Sequence, residues 1–233
     1  MSVQLPSPVE QYRIELVERL LACAPGSVLD AGCGDGALLA ALAPRVARVA
    51  GIDADAARVD AARARGIVAQ VADASALPHA DGEFDWVVLQ YTAHHIAALD
   101  AAMRECWRVA RVGVLVQDPW YDESFVSQRI ALALDRWYKQ IDRLEGMVHE
   151  DCRDSATICA ALAGVPGIAI EVRHRLVLQA VPFSEVVREV DRRLRSGNVP
   201  GSLETEARAI LEDAERHGVS EPGMLLVSLR RRA

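Results

Sequence analysis

The sequence predicts an α/β fold: a doubly wound, mostly parallel sheet with helices on both faces. Three observations lead there. Short apolar runs of strand character alternate with helical stripes, the βαβα order that builds parallel sheets. The first such run, residues 27–30, ends in Asp30 and a turn with glycine at 32, 34 and 36, and an apolar helix follows at once. Hydrophobic residues make up 51% of the 233 and aromatic ones only 5%, so aliphatic side chains are ample for a core covered on both faces.

Ser7-Pro8-Val9-Glu10 reads as a helix start, with serine at N-cap, proline in the first turn and glutamate closing a capping box. Val9, Tyr12, Leu16, Val17, Leu20 and Leu21 continue it as a helical stripe. Strands are expected at 27–30, 48–53, 67–71, 84–90 and 112–117, with helices at 36–43, 55–65 and 97–109 between them. From Ser124 the apolar positions Val126, Ile130, Ala133, Leu134, Trp137, Ile141 and Leu144 keep a helical period up to Gly146. A second helix at 154–163 leads to a strand at 168–178. Ser184 opens a helix that Gly197 ends, Ser202 opens another that stops at Gly218, and Met224–Leu229 closes the chain as a seventh strand. The expected organisation is therefore one domain, 1–233, with helical cap insertions at about 119–164 and 182–220. The first insertion reads equally as a cover on the domain or as a substrate lid.

Bulk properties exclude several classes. No uninterrupted apolar stretch approaches the ~18–20 residues of a membrane span, and residues 1–6 do not form a signal peptide. Five cysteines without C-x-x-C spacing suit the reduced thiols of a cytoplasmic protein. A net charge of −7 speaks against a broad nucleic-acid footprint, and Arg230-Arg231-Arg232 reads as a solvated tail. Neither a membrane nor a nucleic-acid partner is expected, and the oligomeric state is left open. Asp118, His149, Asp151 and Cys152 have no compelling ligand spacing, so no metal is expected.

The glycine turn carries the chemistry. Glycine permits positive φ and close approach of a ligand to the main chain, and the helix beyond it presents amide donors to an anion. Asp30 adds a carboxylate to the same turn. Carboxylate and amide donors together suit a zwitterion, the amine on Asp30 and the carboxylate on the N–H groups.

Asp30-x-Gly32-x-Gly34-x-Gly36 resembles the first motif of the class I S-adenosylmethionine (SAM)-dependent methyltransferases, and the likeness continues in order downstream. Gly51-Ile52-Asp53-Ala54 ends the second strand on an acidic residue. Val71-Ala72-Asp73-Ala74 with Leu77-Pro78 is similar to the third motif, and Phe84-Asp85-Trp86-Val87-Val88-Leu89-Gln90 to the fourth. The resemblance covers about residues 8–118. It implies a Rossmann-like sheet of seven strands whose last two are antiparallel, and SAM as cofactor with S-adenosylhomocysteine (SAH) as product. By the same resemblance Asp30, Gly32, Gly34 and Gly36 hold the methionine end, Asp53 the ribose, Asp73 and Ala74 the adenine, and Gln90 the floor, with Ala54 also a cofactor contact. Gly32-x-Gly34-x-x-Ala37 with Asp53 also satisfies the dinucleotide fingerprint, so an NAD(P)-binding oxidoreductase is the rival. Against it, Asp30 would repel a pyrophosphate.

Methyl transfer chiefly requires alignment and exclusion of water, with a base only where the acceptor must lose a proton of high pKa. His94 and His95, after the fourth strand, are the candidate bases. Tyr91, Trp120, Tyr121 and His149 are the candidate acceptor contacts, with Asp118-Pro119-Trp120-Tyr121 read as a rigid turn presenting two aromatics. Tyr12 and Arg13 are within reach of the methionine carboxylate, Tyr12 being read first as core. The expected reaction is methylation of a small organic acceptor, at oxygen, with nitrogen or carbon open. Methylation of RNA or protein is the other alternative, and the strand-four end lacks the Asn/Asp-Pro-Pro-Tyr/Phe signature of amino-directed enzymes.

Overall fold

The computed structural model describes residues 7–195 and 199–232. The terminal segment 1–6 and the helix-ending Gly197 lie outside the described residues. The chain divides into two compact units. The first comprises Met1–Asp118, Arg153–Arg173 and Leu225–Ala233, the second Pro119–Cys152 and His174–Met224.

In the first unit, α1 (Pro8–Ala22) opens on the expected capping box: Ser7 Oγ accepts from Glu10 N at 3.3 Å, and Glu10 Oε2 accepts from Ser7 N at 2.9 Å. Strand β1 (Ser27–Ala31) is buried along its whole length, as a central parallel strand must be. Then come α2 (Ala37–Leu42), β2 (Arg48–Asp53), α3 (Ala56–Ala64), β3 (Ala69–Val71), β4 (Phe84–Gln90), α4 (Leu99–Val109) and β5 (Ala110–Trp120). The helix expected at 97–109 is preceded by a separate 3₁₀ turn at Ala93–His95. The third strand is shorter than expected, because Ile67 N still bonds Ala62 O at 3.1 Å to finish the preceding helix.

Strand order is β3-β2-β1-β4-β5-β9-β6, with β6 at Ile168–Arg175 and β9 at Gly223–Arg231. Strands β1 to β5 pair in parallel. Arg232 N bonds Gly167 O at 2.7 Å, while a β-carbon on Gly223 would sit 2.4 Å from Arg175 O, so β9 runs antiparallel to β6. Asp85 fixes the start of the parallel core: its Oδ2 accepts from Gly26 N and Ser27 N at 2.8 and 3.0 Å, and its amide donates to Ser27 Oγ at 2.9 Å. Leu16, Leu20, Val28, Leu38, Trp86 and Leu115 fill one side of the sheet, and Cys33, Leu39, Val59 and Ile67 another cluster. The helix expected at 154–163 is α6 (Ser155–Ala160), which packs on α4 within this unit.

The second unit has its own core. Its elements are α5 (Val126–Leu144), β7 (Ala180–Val181), α7 (Phe183–Arg195), α8 (Gly201–His217) and β8 (Val219–Ser220), with β7 and β8 an antiparallel pair. Trp137, Ile141, Val190, Ala207 and Ala214 pack at its centre. Gln128, buried on α5, donates from Nε2 to Val177 O, Ser220 Oγ and Glu221 O at 2.7–2.8 Å and so ties the helix to that pair. No helix among the described residues is long and apolar enough to cross a membrane.

Candidate functional site

Four of the candidate positions converge where β1 and β2 end. Gly32, Gly34 and Gly36 all take positive φ (91°, 53° and 78°). At Gly32 a β-carbon would also lie 2.2 Å from Thr92 Cγ2, because Thr92 closes over the turn and donates from Oγ1 to Gly32 O and Gln90 O at 3.2 and 3.0 Å. The turn is held against β2 by bonds from Gly32 N and Cys33 N to Ile52 O, both 2.8 Å. Asp53 Oδ2 accepts from Gly34 N and Oδ1 from Asp55 N, both at 2.9 Å.

This changes one expectation. The amides of Gly32, Cys33, Gly34, Gly36 and Ala37 all have protein acceptors, so they are not the open donors the turn suggested. They are spent on holding the loop in shape, and what the turn presents is Asp30. Its side chain is 2% exposed and Oδ1 has no hydrogen-bond partner. Burial first, and the Asp53 charge second, push its carboxyl up to about 8. A buried carboxylate oxygen with nothing to accept from is costly unless a ligand supplies a donor. An orphaned acid beside a tight glycine turn therefore fits a ligand that carries a cationic amine.

Further along the sheet edge, Asp73 Oδ1 accepts from Ser75 N and Oγ, both at 2.7 Å, and these bonds hold its carboxyl below the usual range. Ala74 behind it is buried. Glu105 and Arg108 brace this segment, Glu105 Oε2 accepting from Leu77 N at 2.9 Å and Arg108 donating to Leu77 O at 3.2 Å. Gln90 donates to Gln117 Oε1 at 2.8 Å, and Gln117, fully buried, donates to Tyr12 O at 3.2 Å. Tyr12 belongs to the core, and Arg13 is half-buried.

At the end of β4, Tyr91 takes φ 53°, an uncommon conformation for an aromatic residue, with its amide bonded to Gln117 O at 2.8 Å. His94 is buried and its Nδ1 lies 2.8 Å from Asp118 Oδ1. Asp118 is 0% exposed and its Oδ2 has no partner. His95 is exposed, its ring 4.3 Å from that of His94. Thr92, Gln117 and the Glu105–Arg108 brace escaped the sequence reading. Only the brace left a signal, the i,i+3 charge pair on a helix.

The remaining candidates lie in the second unit. Asp118-Pro119-Trp120 is not a turn: β5 continues through Trp120, whose ring stacks 4.6 Å from His174. Tyr121 packs on the unit's core and lines an open pocket of about 650 Å³ with Leu134, Tyr138, Val181, Val186 and Val219. His149 is half-buried, its Nδ1 2.6 Å from Asp142 Oδ2. Asp151 pairs with Arg136 at 3.4 Å, and Cys152 accepts from Lys139 at 3.0 Å.

Residues 29–116 match a family model described as a methyltransferase domain. That match makes the segment a methyltransferase domain. Relatives match over part of the chain. A demethylmenaquinone methyltransferase of Roseiflexus sp. (strain RS-1) is 36% identical over 97 residues, 39% of this chain and 41% of that protein. The uncharacterized methyltransferase YcgJ of Bacillus subtilis (strain 168) is 30% identical over 131 residues, 52% of this chain and 49% of that protein. The matched segments thus span less than half of these curated relatives. The fold match reaches further. The crystal structure of YcgJ aligns over 96% of this chain and 99% of its own with a TM-score of 0.66 and 22% identity. Geranyl diphosphate C-methyltransferase from Streptomyces coelicolor A3(2), solved with Mg²⁺, geranyl diphosphate and SAH, aligns over 94% of this chain and 77% of its own at TM-score 0.56 and 16% identity. The methyltransferase domain thus sits in a chain whose architecture follows that fold nearly end to end.

Proposed function

We propose that this chain transfers a methyl group from SAM to a small organic acceptor, at oxygen, in a cytoplasmic setting. The observation that carries the reading is Asp30, a buried carboxyl without a donor at the mouth of a glycine turn. Bound there, SAM would supply the electrophile, a methyl carbon on a positively charged sulfur. Asp30 takes the methionine amine, and Gly32, Gly34 and Gly36 let the main chain lie close to the ligand. Arg13 is the cation for the methionine carboxylate. Asp53, beside Ala54, keeps lone pairs for the ribose hydroxyls even while it accepts two amides. Asp73 and Ala74 receive the adenine, and Gln90 forms the floor.

On the acceptor side, Asp118 Oδ1 accepts a hydrogen bond from Nδ1–H of His94, which leaves Nε2 as the basic nitrogen. His94 then removes the acceptor's proton as the new bond forms, and His95 stacks against it. Within the first unit, Tyr91 contacts the acceptor beside His94. Within the second unit, the pocket lined by Tyr121 has the volume of a small-molecule site, its apolar residues rimmed by Asp135, Glu185, Arg188, Glu189 and Arg192, which supports a small organic acceptor over RNA or a protein chain.

Calorimetric titration with SAH, with NAD and NADP in parallel, tests the cofactor. Micromolar binding of SAH alone is expected, whereas binding of a dinucleotide instead would make Gly32-x-Gly34-x-x-Ala37 a pyrophosphate loop. His94→Ala should lower kcat with little change in KM, and normal turnover in both His94→Ala and His95→Ala would make the pair structural.

A further inference from the structure

The second unit carries a cluster that the methyl-transfer reading does not use. Lys139 and Asp135 stand one turn apart on α5, and both reach the thiol of Cys152 in the segment that follows the helix. Lys139 is 1% exposed, yet its Nζ lies 2.8 Å from Asp135 Oδ2 and 3.0 Å from Cys152 Sγ. Cys152 Sγ is in turn 3.6 Å from Asp135 Oδ2. An ammonium taken out of water is tolerated only with anionic or strongly accepting partners. Burial works to lower the Lys139 pKa, but the negative charge available on Cys152 and Asp135 outweighs it and leaves the amine above its usual value. The ammonium stands 3.0 Å from the sulfur, nearer than the Asp135 carboxylate at 3.6 Å, and is placed to pair with a thiolate.

Cys33, Cys106 and Cys159 differ. Burial pushes the thiols of Cys33 and Cys106 up to about 12, with Asp30 and Glu105 adding to the effect. Burial also raises Cys159. Cys152 is only half-buried, so a small oxidant has access within its unit. Nor is its segment loose on the helix: Arg136 pairs with Asp151 at 3.4 Å, His149 Nδ1 meets Asp142 Oδ2 at 2.6 Å, and Arg143 donates to His149 O at 2.5 Å.

We propose that Cys152 is a redox modification site, at which hydrogen peroxide oxidises the thiolate held by Lys139 to a sulfenate. The sulfur attacks one peroxide oxygen, the O–O bond breaks and an S–O bond forms, so sulfur loses the two electrons that peroxide gains. The departing hydroxide takes the sulfenic proton and leaves as water. Lys139 then pairs with the new oxyanion, and Asp135 keeps the ammonium in place throughout. This is the reversible first rung of cysteine oxidation, from which a thiol reductant restores the starting state.

Competitive labelling of the full chain tests this. Limiting hydrogen peroxide is added with dimedone, which traps sulfenic acids, and the labelled peptides are quantified by mass spectrometry. Cys152 should be labelled about ten-fold or more ahead of Cys23, Cys33, Cys106 and Cys159, in keeping with thiolate-controlled reactivity. Lys139→Met keeps the apolar stem and removes the charge, and it should slow both dimedone trapping and iodoacetamide alkylation of Cys152 by about ten-fold. Circular dichroism checks that this variant is folded. Uniform labelling of the five cysteines in the unmodified protein would overturn the proposal without any variant. So would a folded Lys139→Met protein in which Cys152 reacts as fast as before.

Discussion

Gly32 and Gly66 both take positive φ (91° and 82°), but only one is boxed in. Around a β-carbon at Gly66 nothing lies within 4 Å, whereas at Gly32 it would meet three side-chain atoms of Thr92. Gly66→Ala should therefore cost only the backbone strain, about 1 kcal/mol. Gly32→Ala adds overpacking to the same strain and should cost about 3 kcal/mol or more. Denaturant titration of the two variants separates the contributions, and equal losses would mean that Thr92 yields without cost. Asp53 makes a second residue-scale test. Asp53→Ala should weaken SAH by about 1.5–3 kcal/mol, the range for hydrogen bonds to a charged group. An affinity unchanged by calorimetry would remove Asp53 from the ribose. What the sequence could not reveal at this scale is which groups are already engaged. Asp30 and Asp53 look alike as acids ending neighbouring strands, yet one accepts two amides while the other has an oxygen with none. That difference arises from tertiary placement.

Elements were legible where periodicity and punctuation agree. Strands β2 and β4 fall where the sequence puts them, because each is a mostly apolar run closed by Asp53 or Gln90. The run through Asp118-Pro119-Trp120 misled, since proline usually marks a turn and here the strand continues through it. The two-residue strands β7 and β8 left no pattern, being too short for alternation to register. Their tie to α5 passes through Gln128, which nothing in the helical stripe singled out. Gln128→Leu keeps the bulk, takes the Gln128 donor from Val177 O and Glu221 O, and leaves the buried Ser220 hydroxyl its bond to Ser127 Oγ. It should cost about 1–3 kcal/mol by denaturant titration. A loss no larger than that of the half-buried Gln140→Leu would show that the tie contributes nothing.

At the scale of the whole molecule, Asp30 couples proton binding to both folding and ligand binding. Its folded carboxyl titrates near 8 and its unperturbed one at 3.8. Between these values the unfolded chain has lost the proton that the folded chain still holds. The folded state then binds more protons, so this group's contribution to stability is intact below about 4 and declines until about 8. Asp73, held low by Ser75, acts in the opposite sense: its contribution is present above the ordinary carboxylate range and lost as pH falls through its folded pKa. In the ligand-free protein, Asp30→Asn should flatten the decline toward alkaline pH in a series of thermal melts and leave the acid limb unchanged. A cationic amine brought against Asp30 reverses the balance by favouring the carboxylate. Binding of SAH at neutral pH should then release a proton from the wild-type site. Calorimetry in two buffers of different ionisation enthalpy measures that proton directly, and Asp30→Asn should bind more weakly and release none. If wild type and Asp30→Asn show the same proton count, the amine does not rest on Asp30, whatever the affinity.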